Sequence, residues 1–307
     1  MDATATPDRA ASAAPSRARA WLAAGRLPTL AAAVVPVLVG SALAFRHGLF
    51  RAGPALAALL GALLIQIGTN LANDLYDFRK GADSRGRIGP PRVLAMGWLS
   101  PAQVRAAMVA SFALATVAGI YLTAIAGWPI VAIGVASILA GVGYTAGRWA
   151  LGYHGLGDAA VFVFFGLVAV AGTYFVQAGS LHPDVWLIAL PVGALATAIL
   201  VVNNVRDLDG DRASGKRTLA VRLGRGGTRA EYGALLFLAF SVPVGLWLRG
   251  HLSVAALLPL ATFTLAMRAW RTVATREDGP SLNGALLDTA RLHALFGVLF
   301  AAGIALR

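Results

Sequence analysis

Cysteine is absent from the 307 residues. That absence removes disulfides, thiolate metal ligands and thiol nucleophiles together, so any metal must be held by oxygen or imidazole. Charge is scarce too: 13% of residues are Asp, Glu, Lys or Arg, against roughly 25% in a typical soluble domain. This excludes an ordinary soluble enzyme. Acidic residues are the scarcest, 14 against 26 Lys plus Arg, for a net charge of +12. In a soluble chain that excess would point to nucleic acid; here it points to loops resting on an anionic lipid leaflet, with no nucleic-acid partner.

What is abundant is apolar sequence, 58% of the chain. It falls into nine stretches near the ~20 residues that a bilayer-spanning helix needs. They cover about 27–45, 53–73, 104–126, 128–146, 158–178, 184–204, 230–248, 252–270 and 285–306. The expected fold is all-α, a polytopic membrane bundle of about nine transmembrane helices. No soluble block of domain size remains, so residues 27–307 read as one transmembrane domain. Residues 1–26, rich in Ala, Ser, Pro and Arg without an apolar core, read as a flexible tail rather than a secretory signal.

Lys and Arg fall unevenly across these spans. Twenty lie in the tail and in the connections after spans two, four, six and eight; only Arg46, Arg51, Arg249 and Arg307 lie on the other side. The positive-inside rule then expects a multi-pass protein of the cytoplasmic (inner) membrane, with the amino terminus and the two large basic loops cytoplasmic.

Six of the 14 acidic residues gather at two places, both on that basic side: Asp74, Asp77 and Asp83 after span two, and Asp207, Asp209 and Asp211 after span six. On a helix, Asn70, Asn73, Asp74 and Asp77 fall within an arc of about 100°, with Gln66 one turn deeper. Asn204, Asp207 and Asp211 share a face in the same way, while Asp209 points elsewhere. One carboxylate at a helix end is usually a cap. Six in two stripes repel one another unless cations lie between them. Mg²⁺ is the economical choice, since it binds a few carboxylates together with phosphate oxygens, and neighbouring Arg and Lys suit the remaining phosphate charge. The residues by themselves therefore suggest a Mg²⁺–diphosphate site at one membrane face with a hydrophobic tail lying in the bundle.

The paired motifs resemble the UbiA superfamily of intramembrane aromatic prenyltransferases, whose members have nine transmembrane helices and two Asp-rich motifs that bind an isoprenyl diphosphate through Mg²⁺. Asn73, Asp74 and Asp77 match the first motif, N-D-x-x-D; Asp207 and Asp211 match the second, D-x-x-x-D. The third Asp of the first motif departs from the common spacing: Gly81 stands there, and Asp83 follows. The run from Asn70 to Arg92, the stretch Gly152–Asp158 (GYHGLGD), Asn203 to Gly224 and Thr289-Ala-Arg-Leu resemble the 1,4-dihydroxy-2-naphthoate polyprenyltransferase branch. That resemblance, from about Trp21 to the end, implies transfer of a polyprenyl group from polyprenyl diphosphate to 1,4-dihydroxy-2-naphthoate, with loss of diphosphate and CO₂, giving demethylmenaquinone in its quinol form.

It also implies roles. Asn73, Asp74, Asp77, Asp83, Asp207 and Asp211 become metal candidates, and Asp74, Asp77, Asp207, Asp211 and Tyr144 catalytic ones. Tyr144 and Arg148 resemble a Y-x-x-x-K motif with Arg for Lys; an interfacial anchor explains Tyr144 equally well. Lys80, Arg87, Arg92, Arg148, Arg206, Arg212 and Lys216 are diphosphate candidates as a group, each equally explicable as a lipid-surface charge. Gln66, Asn70, Asn204, Asp158 and Arg26 are candidates for the aromatic substrate, although helix capping accounts for Asp158. Asp288 and Arg291, spaced i, i+3, are expected to pair. The five His residues show no ligand spacing. Two alternatives remain: another member of the superfamily with a different acceptor, and a transporter, whose charges belong near the midplane rather than at one face.

The charge asymmetry makes a prediction that the cysteine-free chain makes easy to check. Single cysteines at Ser84 and Ser214 should react with an impermeant thiol reagent from the cytoplasmic side, and one at Ser180 from the other. Reaction of the first two from opposite sides would overturn the orientation.

Overall fold

In hydrocarbon no water satisfies a free peptide group, so a bundle of separate spans is built from helices. The computed structural model describes residues 15–81, 89 and 92–306, and among these there is no strand. α1 (Arg17–Gly25) meets α2 (Leu27–Arg46) at Arg26, whose φ of 50° turns the corner. α3 (Ala52–Arg79), α4 (Pro101–Ala126) and α5 (Pro129–Gly143) follow, then a 3-10 turn at Leu151–Tyr153. α6 (Gly157–Val161), a π-helical segment Phe162–Val168 and α7 (Ala169–Ala178) form one helical run. α8 (Asp184–Arg206) leads into the short α9 (Leu208–Ala213), and α10 (Leu219–Leu248) is broken at Gly224 (φ 69°, ψ 177°). A 3-10 stretch, Val254–Thr262, runs into α11 (Phe263–Thr275), and α12 (Gly279–Ala305) closes the chain.

Two expectations are sharpened by the structure. Seven helices of the described residues are long and apolar enough to cross a membrane, and a count of nine is not confirmed. The fourth expected span is the 15-residue α5, and the eighth falls on the 3-10 stretch, which contains Pro259, and α11. Nor is the expected tail without structure throughout. Ser16 accepts a hydrogen bond from the Arg19 amide and caps α1, and Ala20 and Ala24, one turn apart, are buried in a cluster with Leu71, Leu75 and Val93.

Burial divides the bundle. α8 is the central helix, with 72% of its apolar window inside the protein, and α4 lies at the rim with 22%. Val39, Ile188, Leu195, Val202, Phe296 and Phe300 form the main core, where the Tyr232 hydroxyl also meets Thr289 Oγ1 at 2.8 Å. Val109, Leu114 and Val117 of α4 are exposed, as suits lipid-facing positions. At the end away from the acidic motifs, three of the five His converge: His251 Nδ1 lies 2.9 Å and His182 Nδ1 3.5 Å from Asp184, and the His47 ring sits 4.7 Å from that of His182. Sequence spacing could not show this, because each comes from a different connection.

The π-helical segment approaches α8 closely through two glycines. A Cβ built on Gly166 would lie 2.6 Å from Gly193 Cα, and one on Gly193 would lie 2.9 Å from the Phe162 carbonyl oxygen. Since backbone atoms are what such a Cβ would meet, Gly193→Val is expected to destabilise the bundle by about 1–3 kcal/mol. Thermal unfolding in detergent checks this; an unchanged midpoint would show that the two helices can part freely.

Candidate active site

The first acidic stripe forms as its period requires. Asn70, Asp74 and Asp77 are buried on the last turns of α3 although they are polar. Buried carboxylates need cations or donors, and these come from outside the helix. Arg26, at the α1–α2 corner, and Arg92 both pair with Asp74, and Arg92 Nη2 also reaches Asp77 Oδ2 at 2.9 Å. The other Asp77 oxygen accepts a hydrogen bond from the Tyr153 hydroxyl at 2.7 Å. Asn73 accepts one from the Thr145 hydroxyl, which ties α3 to the segment after α5.

The second stripe departs from the expected continuous face. Helix α8 stops at Arg206, and Asp207 (φ −92°, ψ 5°) begins α9. Arg206 is wholly buried, and its guanidinium holds both Asp207 oxygens at 2.8 and 2.6 Å. It also donates to Asn203 and to Asn283 of α12, each at 2.9 Å. Asp209 is exposed and pairs with Arg225 at 2.7 Å.

The two motifs meet at Lys216. Its Nζ is 3.9 Å from Asp77 Oδ1 and 3.6 Å from Asp211 Oδ1, so carboxylates 134 positions apart in sequence face one ammonium group. Among the described residues no three carboxylates or imidazoles come together as a metal cage. Oxygen donors spread over two helix ends with cations between them suit a hard divalent ion that takes its remaining ligands from phosphate and water.

The other candidates divide. Lys80 donates to the Thr145 and Gly147 carbonyls at 2.6 and 3.3 Å, which ties the end of α3 to the loop after α5. Arg212 is exposed and lies 4.0 Å from Asp209, and Arg148 is exposed and makes none of the site's ion pairs among the described residues. Gln66 and Asn70 donate to Thr29 Oγ1 at 3.2 and 3.0 Å, bracing α2 against α3. Asn204 is buried, and Asp158 is 5% exposed at the start of α6. Asp288 pairs with Arg291 at 3.4 Å and with Arg268 at 3.1 Å. Asp83 and Arg87 lie outside the described residues. Tyr153 and Asn283 escaped the sequence reading; Tyr153 lies inside the GYHGLGD stretch, but Asn283 carries no motif signal.

Beside the acids lies a cavity of about 330 Å³ enclosed by α2, α3, α4, α5 and the run from α6 to α7. Its walls are almost wholly Ala, Gly, Ile, Val, Phe and Thr, with Gln66, Thr69 and Tyr144 among the few polar groups. Tyr144 joins the two regions: it lines the cavity, and its hydroxyl lies in the field of Asp158, Asp77 and Asp211.

An acidic double motif next to an apolar chamber is the arrangement that comparison with known proteins explains. Residues 33–286 match the model of the UbiA prenyltransferase family. The chain belongs to this family. The 1,4-dihydroxy-2-naphthoate octaprenyltransferase of Escherichia coli (strain K12) is 38% identical over 296 residues, covering 94% of this chain and 96% of that protein. The Mycobacterium leprae enzyme of the same name is 37% identical over 286 residues, with 93% and 96% covered. A UbiA homologue from Archaeoglobus fulgidus, solved with DMAPP and Mg²⁺, shares the UbiA fold at a TM-score of 0.66 and 16% identity, over 94% of this chain and 99% of that one.

For this UbiA member, Arg206 is the element whose loss should be felt furthest. Arg206→Leu leaves the half-buried Asp207 without its guanidinium and is expected to cost about 3 kcal/mol, the low end for breaking a buried pair. Asn283→Ala removes one of its four hydrogen bonds and should cost about 1 kcal/mol. Unfolding midpoints of the two variants test the order, which equal losses would contradict.

Proposed function

We propose that the chain transfers a polyprenyl group from polyprenyl diphosphate to 1,4-dihydroxy-2-naphthoate, releasing diphosphate and CO₂ and yielding demethylmenaquinol, a step of menaquinone biosynthesis. The observation that carries this reading is the meeting of Asp77 and Asp211 at Lys216 beside the apolar cavity, in a chain whose relatives bear that enzyme's name over nearly their whole length.

In this reading Asn73, Asp74, Asp77, Asp207 and Asp211 would hold Mg²⁺, with Asp83 a further candidate. The bound ion supplies Lewis acidity that takes up charge as diphosphate departs. Lys216 and Arg92, already among the carboxylates, are placed to pair with diphosphate oxygens. The apolar chamber holds the proximal isoprene units and keeps water from the allylic cation that forms as the C–O bond breaks. Tyr144 stands at the boundary of chamber and acids, where an acceptor ring would meet that cation. The electron-rich naphthalene carbon bonds to the allylic carbon, and the ring then loses its carboxyl group as CO₂. The Lys and Arg excess on the acidic-motif side supports a cytoplasmic orientation for the site.

Naphthoate labelled in its carboxyl group tests this directly. The expected outcome is an unlabelled prenylated quinol and an equal amount of labelled CO₂, arrested by EDTA and restored by added Mg²⁺. Retention of the label in the product would move the chain to another acceptor, and turnover undiminished in chelator would count against the metal site.

A further inference from the structure

Tyr153 stands where the two acidic motifs are joined. It ends the 3-10 turn Leu151–Tyr153, and its backbone is held from the second motif's side, where the Arg217 amide donates to its carbonyl at 2.9 Å. The turn itself is fixed to the end of α5 by the Gly152 amide, which donates to the Tyr144 carbonyl at 3.0 Å. From this position the side chain addresses both motifs. The hydroxyl donates to Asp77 Oδ1 at 2.7 Å, the oxygen that also faces Lys216. The ring has Lys80 Nζ 4.2 Å and Lys216 Nζ 4.8 Å from its centroid.

Each contact has a distinct physical effect. A phenol donating to a carboxylate is a charge-assisted hydrogen bond, and it fixes the rotation of the carboxyl group about its bond to the chain. Asp77 is thereby held with one oxygen toward Arg92 and the other toward the gap that Lys216 spans. The π-face attracts ammonium groups and keeps two lysines near one another despite their repulsion. Lys80 is further restrained by the carbonyls of Thr145 and Gly147, and Lys216 by Asp77 and Asp211.

We infer that Tyr153 is a positioning residue for diphosphate recognition: its hydroxyl sets the orientation of Asp77, and its ring sets the position of Lys216 between the two motifs. This rests on the proposed reading of the site as one for a Mg²⁺–diphosphate. The two effects separate by substitution, since Tyr153→Phe removes the hydroxyl and keeps the ring, and Tyr153→Leu removes both.

The test uses the full chain purified in detergent, with inorganic diphosphate titrated calorimetrically in the presence of Mg²⁺, alongside steady-state kinetics. Tyr153→Phe should bind roughly tenfold more weakly, as expected for loss of a charge-assisted hydrogen bond. Tyr153→Leu should weaken binding by roughly a further threefold or more through loss of the cation–π contacts. In the kinetics of the Phe variant, KM for the prenyl diphosphate should rise while KM for the aromatic acceptor stays unchanged. A merely structural role would move both constants or neither. Wild-type affinity in Tyr153→Phe, with the wild type itself binding diphosphate, would overturn the inference and leave the proposed function standing. Failure of the wild type to bind diphosphate with Mg²⁺ would overturn both.

Discussion

A carboxylate held at the rim of a bilayer has to be matched by positive charge, and in this protein that requirement organises the whole acidic end of the bundle. Asp74 draws in Arg26 and Arg92; Asp77 shares Arg92 and faces Lys216; Asp211 shares Lys216; Asp207 is gripped by Arg206. The cations come from the α1–α2 corner, the segment before α4, the end of α8 and the connection after α9. Charge pairing therefore brings together segments that apolar packing alone would leave apart. It also leaves those carboxylates with several oxygens already turned toward positive neighbours, the polarity that an incoming anion with its own metal ions can use.

The remainder of the bundle divides its labour by side-chain size. Around α8 the packing is dense, with Leu195, Phe296 and Phe300 filling the space and Gly166 and Gly193 letting backbones touch. On the other side Ala32, Ala33, Gly61, Ala62, Gly134 and Gly141 leave a chamber instead of a core. Small residues in membrane helices often serve close approach. Here the same residue types serve both ends, contact in one half and emptiness in the other.

Much of this was legible in the sequence, for identifiable reasons. A helix that crosses hydrocarbon must declare itself in a long apolar run, so α2, α3, α4, α8 and α12 were visible, and a stripe with helical period placed Asp74 and Asp77 on one face. What sequence could not decide was which cation would meet which acid. Arg92, Lys80, Arg148 and Arg212 looked alike, yet only Arg92 turns in to the first motif, because the choice depends on how loops return to the bundle. α1 was missed because two buried Ala residues leave little apolar signal, and Tyr153 because a 3-10 turn has no periodicity to read. The meeting of His47, His182 and His251 near Asp184 depends on three connections far apart in the chain.

The brevity of α5 has a consequence for traffic between the bilayer and the reaction site. Its 15 residues rise only about 22 Å, while the hydrocarbon layer is about 30 Å thick. Trp128, 76% exposed at its start, suits the headgroup boundary at that end. The shortfall then falls at the other end, where Tyr144 begins the loop that carries Tyr153. With α5 anchored there, the doorway between chamber and charges would lie below the level of the headgroups. Through such a doorway a lipid-soluble chain would enter sideways, and an apolar product would return to the leaflet without crossing solvent.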